Sequence, residues 1–182
     1  VQDPGNLGTI LRTAAAAGVR DVLLTPGCSG AWSPRALRAG MGAHFGLRIH
    51  ERVDAVDVLG AFRGAILATA LGEGARSLYE LDLDAPVAWL FGAEGQGVSS
   101  ALLACASQRV IIPMAGDVES LNVAAAVAVC LFEQARQRPN TSTSCTTSVN
   151  PSAWATRAAH SSTSRAAISI EYPHERQTRW WW

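Results

Sequence analysis

Apolar and polar positions alternate along residues 1–138 in blocks that predict a regular succession of helices and strands. Asn6 to Ala17 carries Leu, Ile, Leu and Ala at helical spacing and stops at Gly18, so it reads as a helix with a glycine end. Val19 to Thr25 is a short apolar strand. Pro34 to Gly40 is a helix, with Ser33 as its cap and Pro34 at its first position. A strand at 47–50, a helix at 53–62 and a strand at 65–70 follow. Val87 to Phe91 (Val-Ala-Trp-Leu-Phe) is a continuous apolar run, the mark of a strand buried on both faces. A helix at 99–105, a strand at 109–112 and a long helix at 121–136 complete the series. Strands of this kind between helices predict an α/β fold, a parallel sheet flanked by helices. An α/β domain would feed the segment at Val1 from a strand, so a first strand is expected to be missing there.

The pattern stops near Pro139. Residues 1–138 hold 11 Ser and Thr, whereas residues 139–182 hold 15 in a third of that length and end on Trp180-Trp181-Trp182. The expectation is a folded domain over 1–138 and a disordered or non-native tail over 139–182. Formal net charge is +0, so no global field draws the chain to polyanions, and any grip on nucleic acid must be local. All 15 basic residues are Arg, which suits bidentate phosphate contacts. Cys28, Cys105, Cys130 and Cys145 show no paired spacing and no His at metal-ligand distance, so reduced thiols and no metal site are expected. His44 and His50 stand alone and read as ordinary surface or loop residues. No secretory pattern appears and no apolar run reaches the ~18 residues of a membrane span. A cytoplasmic protein with no membrane partner is expected.

Three segments carry more polar and glycine residues than turns need. In Asp3-Pro4-Gly5-Asn6-Leu7-Gly8 through Arg12, Asn6 sits at a helix entrance. Arg12 is six residues on, roughly 120° around the helix, and so comes from its body. The bland reading is a cap and a solvated Arg; the two glycines around Asn6 speak for a backbone that something approaches closely. Phe91-Gly92-Ala93-Glu94-Gly95-Gln96-Gly97 follows a strand and precedes a helix, as phosphate-binding loops do. It lacks the dinucleotide spacing and a following Lys, and Glu94 would repel a phosphate. A ligand with hydroxyls or a positive centre fits it better. Ile112-Pro113-Met114 through Ser120-Leu121-Asn122 opens the long helix. Ser120 reads as its cap, which leaves Asn122 as an amide within an apolar helical face, in need of partners.

These segments resemble the three motifs of the SpoU (TrmH-like) RNA ribose 2′-O-methyltransferases of the SPOUT superfamily. Asn6-Leu7-Gly8 with Arg12 is similar to the first motif, Leu90 to Gly97 to the second, and Ile112 to Val123 to the third. The Arg38-Ala39-Gly40-Met41-Gly42-Ala43 run fits as well, and the likeness covers residues 1–138. Ala93 departs from the Asn that the second motif often carries. The resemblance implies a parallel sheet with a C-terminal trefoil knot, and S-adenosylmethionine bent into the knot loops. Gly92, Gly97, Ile112 and Leu121 would hold it, with Ala70, Leu71 and Met114 near the adenine. It implies methyl transfer to a ribose 2′-OH of rRNA or tRNA, with Arg12 positioning phosphate and hydroxyl, and Asn6, Glu94, Ser120 and Asn122 orienting Arg12 and the ribose. It also implies a homodimer packed through the last helix, 121–136. Two alternatives stand beside it: a noncatalytic RNA-binding or partner-binding member of the same fold, and an unrelated Rossmann-like nucleotide-binding protein.

Overall fold

A computed structural model of the chain describes residues 1–93, 95–116, 120–138 and 166–170. Its helices are α1 (Pro4–Ala16), α2 (Pro34–Gly40), α3 (Ala55–Gly60), α4 (Ser100–Cys105) and α5 (Val123–Gln137), with 3-10 turns at Ala43–Gly46 and Leu78–Glu80. Its strands are β1 (Asp21–Leu24), β2 (Arg48–Glu51), β3 (Ala65–Thr69), β4 (Arg76–Ser77), β5 (Val87–Phe91), β6 (Gln108–Ile111) and β7 (Ala166–Ile170). They form one sheet in the order β2-β1-β7-β5-β3-β6-β4, and every pairing is parallel. The α/β class with a parallel sheet between helices is thus as the pattern predicts.

The helices divide by face because strand side chains alternate. Val87, Trp89 and Phe91 of β5 pack with Leu7, Ile10 and Leu11 of α1 and with Val127 and Leu131 of α5 in the larger core. Ala88 and Leu90 turn to the opposite face, where they meet Ala55 and Leu59 of α3 and Leu102 of α4. Trp89 brings a polar handle into the larger core, and its indole Nε1 donates to Gln134 Oε1 of α5 at 2.9 Å. Cys130, on the same buried side of α5, has its thiol pushed up to about 12 by burial.

Most elements lie where the pattern puts them, and the differences have local causes. α1 begins two residues before Asn6 because Asp3 is its cap: Asp3 Oδ1 accepts from the Asn6 amide at 2.8 Å, with Pro4 in the first turn. Ser33 caps α2 as expected. The expected cap of the last helix is corrected. Asn122, not Ser120, caps α5, and its Oδ1 accepts from the Ala124 amide at 2.9 Å. Asn122 is therefore an exposed cap rather than an amide inside an apolar face. Two strands have no counterpart in the pattern: the two-residue β4, and β7 from the Ser/Thr-rich segment. His44, read as a surface or loop residue, is buried, with Nε2 2.8 Å from the Ala31 carbonyl. Among the described residues no helix is long and apolar enough to cross a membrane.

α1 and α2 cross at a point with no room for a side chain. A Cβ on Gly8 would overlap the Ala36 carbonyl oxygen and come within 2.6 Å of Ala39 Cβ. Because the Ala36 oxygen is backbone, it cannot swing aside. Gly8→Ala is expected to destabilise the domain by about 1–3 kcal/mol, read as a lowered midpoint in urea unfolding with the slope unchanged.

Candidate active site

A parallel sheet brings the carboxyl ends of its strands to one edge, where ligands of open α/β sheets bind. Here that edge, beyond β3, β5 and β6, gathers two of the three glycine-rich and polar segments. A cavity of about 130 Å³ opens where β3 and β6 end, over the β6–α5 connection. Thr69, Val110 and Ile111 line its strand side, Ala126 its helix side, and Ala70, Leu71, Ile112, Met114 and Leu121 its loops. The wall is predominantly apolar. Leu71 (77% exposed), Met114 (39%) and Leu121 (41%) raise large apolar side chains around it. A volume below the roughly 300–1,000 Å³ of an ordinary ligand pocket takes one flat end of a ligand, with the remainder along the loops.

Five of the seven residues expected at a cofactor line this cavity: Ala70, Leu71, Ile112, Met114 and Leu121. Gly92 and Gly97 do not; they shape the loop after β5. That loop closes on itself, Ala93 N donating to the Gly97 carbonyl at 3.1 Å and Gly97 N to the Ala93 carbonyl at 2.9 Å. Gly95 and Gly97 take left-handed φ of 81° and 70°. A Cβ on Gly92 would overlap the Gly97 carbonyl group and the Val98 nitrogen. The loop's own tight fold thus requires all three glycines. Glu94 lies outside the described residues.

The first and third segments meet in space. Asn122 Nδ2 donates to Asn6 Oδ1 at 3.4 Å, a long bond that joins the entrances of α1 and α5. A cap whose oxygen serves its own helix leaves its amide nitrogen for a neighbour, and Asn is the capping residue that can do both. Arg12 lies two turns further along α1 with an exposed side chain, and it makes no hydrogen bond or ion pair among the described residues. Its charge is therefore open to a ligand. Ser120 is exposed and precedes the cap by two residues.

Two residues at this entrance escaped the sequence reading. Asp3 caps α1, and its Oδ2 lies 3.1 Å from Arg35 Nη2, so Arg35 of α2 stands beside Gly5 and Asn6. The Asp-Pro pair before Gly5 is the signal that could have shown the cap. Nothing in the sequence shows that α2 folds back to bring Arg35 there. Among the described residues there is no cluster of His, Cys, Asp and Glu able to hold a metal ion.

With this geometry in view, likeness to known proteins assigns the class. Residues 1–132 match the model of the SpoU rRNA Methylase family. The chain belongs to that family. It is 42% identical over 139 residues to the tRNA (guanosine(18)-2′-O)-methyltransferase of Thermus thermophilus, covering 76% of this chain and 72% of that protein. It is 40% identical over 134 residues to the 23S rRNA (guanosine(2553)-2′-O)-methyltransferase RlmP of Bacillus subtilis (strain 168), covering 72% and 54%. Among solved structures, the AdoMet-bound rRNA methyltransferase from Sinorhizobium meliloti superposes with a TM-score of 0.69 at 36% identity, over 75% of this chain and 53% of that one. The chain spans about half the length of most of the curated relatives it matches.

The double duty of Asn122 makes a separable prediction. Asn122→Ala removes both cap and link and should cost roughly 0.5–2 kcal/mol in chemical denaturation. Asn122→Asp keeps the capping oxygen, loses the donor to Asn6, and should unfold within a few tenths of a kcal/mol of the parent. Equal losses in the two variants would assign the effect to the Asn6 link instead of the cap.

Proposed function

We propose that this chain transfers the methyl group of S-adenosylmethionine to a ribose 2′-OH of rRNA or tRNA. The observation that carries the reading is the meeting of α1 and α5 at Asn6 and Asn122, with the uncommitted guanidinium of Arg12 on α1 and an apolar cavity at the start of α5. Family membership and AdoMet-bound neighbours support the choice of donor. The residues present fit it. An apolar slot with an exposed apolar rim suits a flat heteroaromatic ring, and no fixed cation among the cavity-lining residues opposes a sulfonium. When bound, S-adenosylmethionine supplies an electrophilic methyl on sulfur, so that a C–O bond forms as the S–C bond breaks.

The chain's own residues have the complementary tasks. Ala70, Leu71 and Met114 would flank the adenine, while Ile112 and Leu121 offer backbone beside it. Gly92 and Gly97 keep the second loop tight enough to lie alongside. Arg12 would hold the RNA phosphate and the 2′-OH. Guanidinium is protonated at neutral pH, so Arg12 aligns the hydroxyl and stabilises the oxygen as its proton leaves, rather than removing that proton unaided. Asn6 and Asn122, with Ser120 and Glu94, would orient Arg12 and the ribose. Holding hydroxyl and methyl in line supplies much of the rate in such a transfer.

The same proposal takes residues 1–138 as the catalytic module, threaded near 112–122 into the trefoil knot its relatives suggest. It also takes a homodimer packed through the helix at 121–136. Phe132, 52% exposed on α5, supports a covered apolar face there. A protein acting on rRNA or tRNA would work in the cytoplasm.

The test is the full chain with S-adenosylmethionine and bulk rRNA or tRNA, read as 2′-O-methylnucleosides after nuclease digestion. Arg12→Ala should bind S-adenosylmethionine like the parent in calorimetry and lose methyl transfer by about 10²-fold or more. Equal transfer by variant and parent would remove Arg12 from the mechanism. Binding without transfer by the parent would leave the noncatalytic reading in its place.

A further inference from the structure

The strand β7 is placed unlike any other in the sheet. It lies between β1 and β5 near the middle, yet it comes from the far C-terminal segment, with residues 139–165 between it and Arg138. Its register is complete on both sides. Asp21 to Leu24 pair with Ala167 to Ile170, and Val87 to Phe91 pair with Ala166 to Ile170. Ile168 and Ile170 are fully buried in the larger core. A break between β1 and β5 would leave two facing rows of unpaired backbone groups inside the domain, each costly to bury.

The fit carries a flaw. Ser169 is 1% exposed, and its hydroxyl has no hydrogen-bond partner among the described residues. The strand is held by backbone pairing and two isoleucines, not by a side-chain set matched at every position. Its carboxyl end is gripped more closely. The Ile170 carbonyl accepts from Thr25 N at 3.1 Å, from Thr25 Oγ1 at 3.2 Å and from Cys28 Sγ at 3.3 Å. The Val1 nitrogen lies 3.7 Å from the same Cys28 sulfur, and the Val1 carbonyl accepts from Ser29 N at 2.9 Å. The end of β7 and the approach to α1 thus converge on one loop. The slot would serve a strand running directly into Val1 as well as one arriving from elsewhere, so its recognition is indifferent to connectivity.

We propose that the space between β1 and β5 is a strand-receptor site, and that Ala166–Ile170 is a detachable insert in it. The ligand class is an extended segment of about five residues, parallel to its neighbours, with isoleucine-sized side chains at the third and fifth positions. Backbone pairing supplies the affinity and alternate side chains the selection, as in other cases of strand addition. Because the Ile170 carbonyl bonds the loop that carries Cys28, beside Val1 and the entrance of α1, insertion also orders the approach to Asp3 and Asn6. The inference does not depend on which reaction the site performs.

The test uses the full chain and a fluorescent peptide of residues 164–172. In Ile168→Asp the chain's own strand is expelled, and the peptide should bind this variant saturably. The parent should bind it roughly tenfold more weakly or worse, because its own strand competes at the high effective concentration of a tethered ligand. A peptide that itself carries Ile168→Asp should bind neither. If Ile168→Asp is unfolded alone, excess wild-type peptide should restore its cooperative thermal transition. Failure of the peptide either to bind or to restore the variant overturns the proposal, as does equal binding to variant and parent. A second measurement requires no expulsion. Ser169→Ala removes the unpartnered buried hydroxyl and should raise the thermal midpoint of the full chain by a few degrees. No rise would mean that the segment does not occupy the slot, and would overturn the proposal as well.

Discussion

A parallel sheet forces every strand to end on the same edge, and that constraint organises the rest of the molecule. Once β3, β5 and β6 run side by side in one direction, the loops that leave them emerge together. The glycine-rich loop after β5 and the polar segment after β6 become neighbours although some twenty residues of chain separate them. The crossover helices must then cover both faces, because neither face of such a sheet tolerates water. α1 and α5 cover one face and α3 and α4 the other. The same requirement makes a gap near the middle of the sheet intolerable, which is why a short apolar segment from far along the chain finds a place there.

The entrances of α1 and α5 are fixed by separate local devices that happen to meet. Asp3 sets the start of α1, and the Gly8 crossing sets how closely α2 lies against it. Asn122 sets the start of α5 and reaches Asn6 with the half of its amide that capping does not use. Neither cap depends on the other for its own helix. The link between them therefore costs little to make and reports whether the two helices are correctly placed.

The sequence reading succeeded where local chemistry decides and failed where distant parts decide. The strand at 87–91 was legible because five apolar residues between turns have no other soluble use. Ser33 was legible because a Ser-Pro pair ahead of a helix admits one arrangement. The cap of α5 was misplaced by two residues because Ser120 and Asn122 are equally good capping types. The choice rests on backbone dihedrals, which the residue types do not reveal. β4 and β7 were missed for a different reason. Arg76-Ser77 and Ala-Ala-Ile-Ser-Ile carry little strand signal of their own, and they become strands because β6, or β1 and β5, offer them an edge. At the site, Asn6 and Asn122 were each singled out, but their meeting is a property of the fold and so was invisible in either segment. The apolar cavity was legible only by resemblance, since Ala70, Leu71 and Ile112 carry no chemistry that would mark them.

α5 is pinned at two points, and that decides how exactly the site can be built. Near its carboxyl end Gln134 accepts from Trp89 Nε1 at 2.9 Å, and Gln137 Oε1 accepts from Leu83 N at 2.9 Å. At its start Asn122 bonds Asn6. Twelve residues separate Asn122 from Gln134, about 18 Å of helix at 1.5 Å per residue. A slip of one residue would move α5 along its axis by about 1.5 Å and turn it by about 100°, which breaks the anchors at both ends together. A buried Trp nitrogen without its acceptor is expensive, so the distal anchors hold the register even though the Asn6–Asn122 bond is long and weak. The polar pair at the entrances is thus positioned by a hydrogen bond made far away in the core. That division leaves Asn6 and Asn122 free to exchange their bond to each other for bonds to a ligand without loss of the helix that presents them.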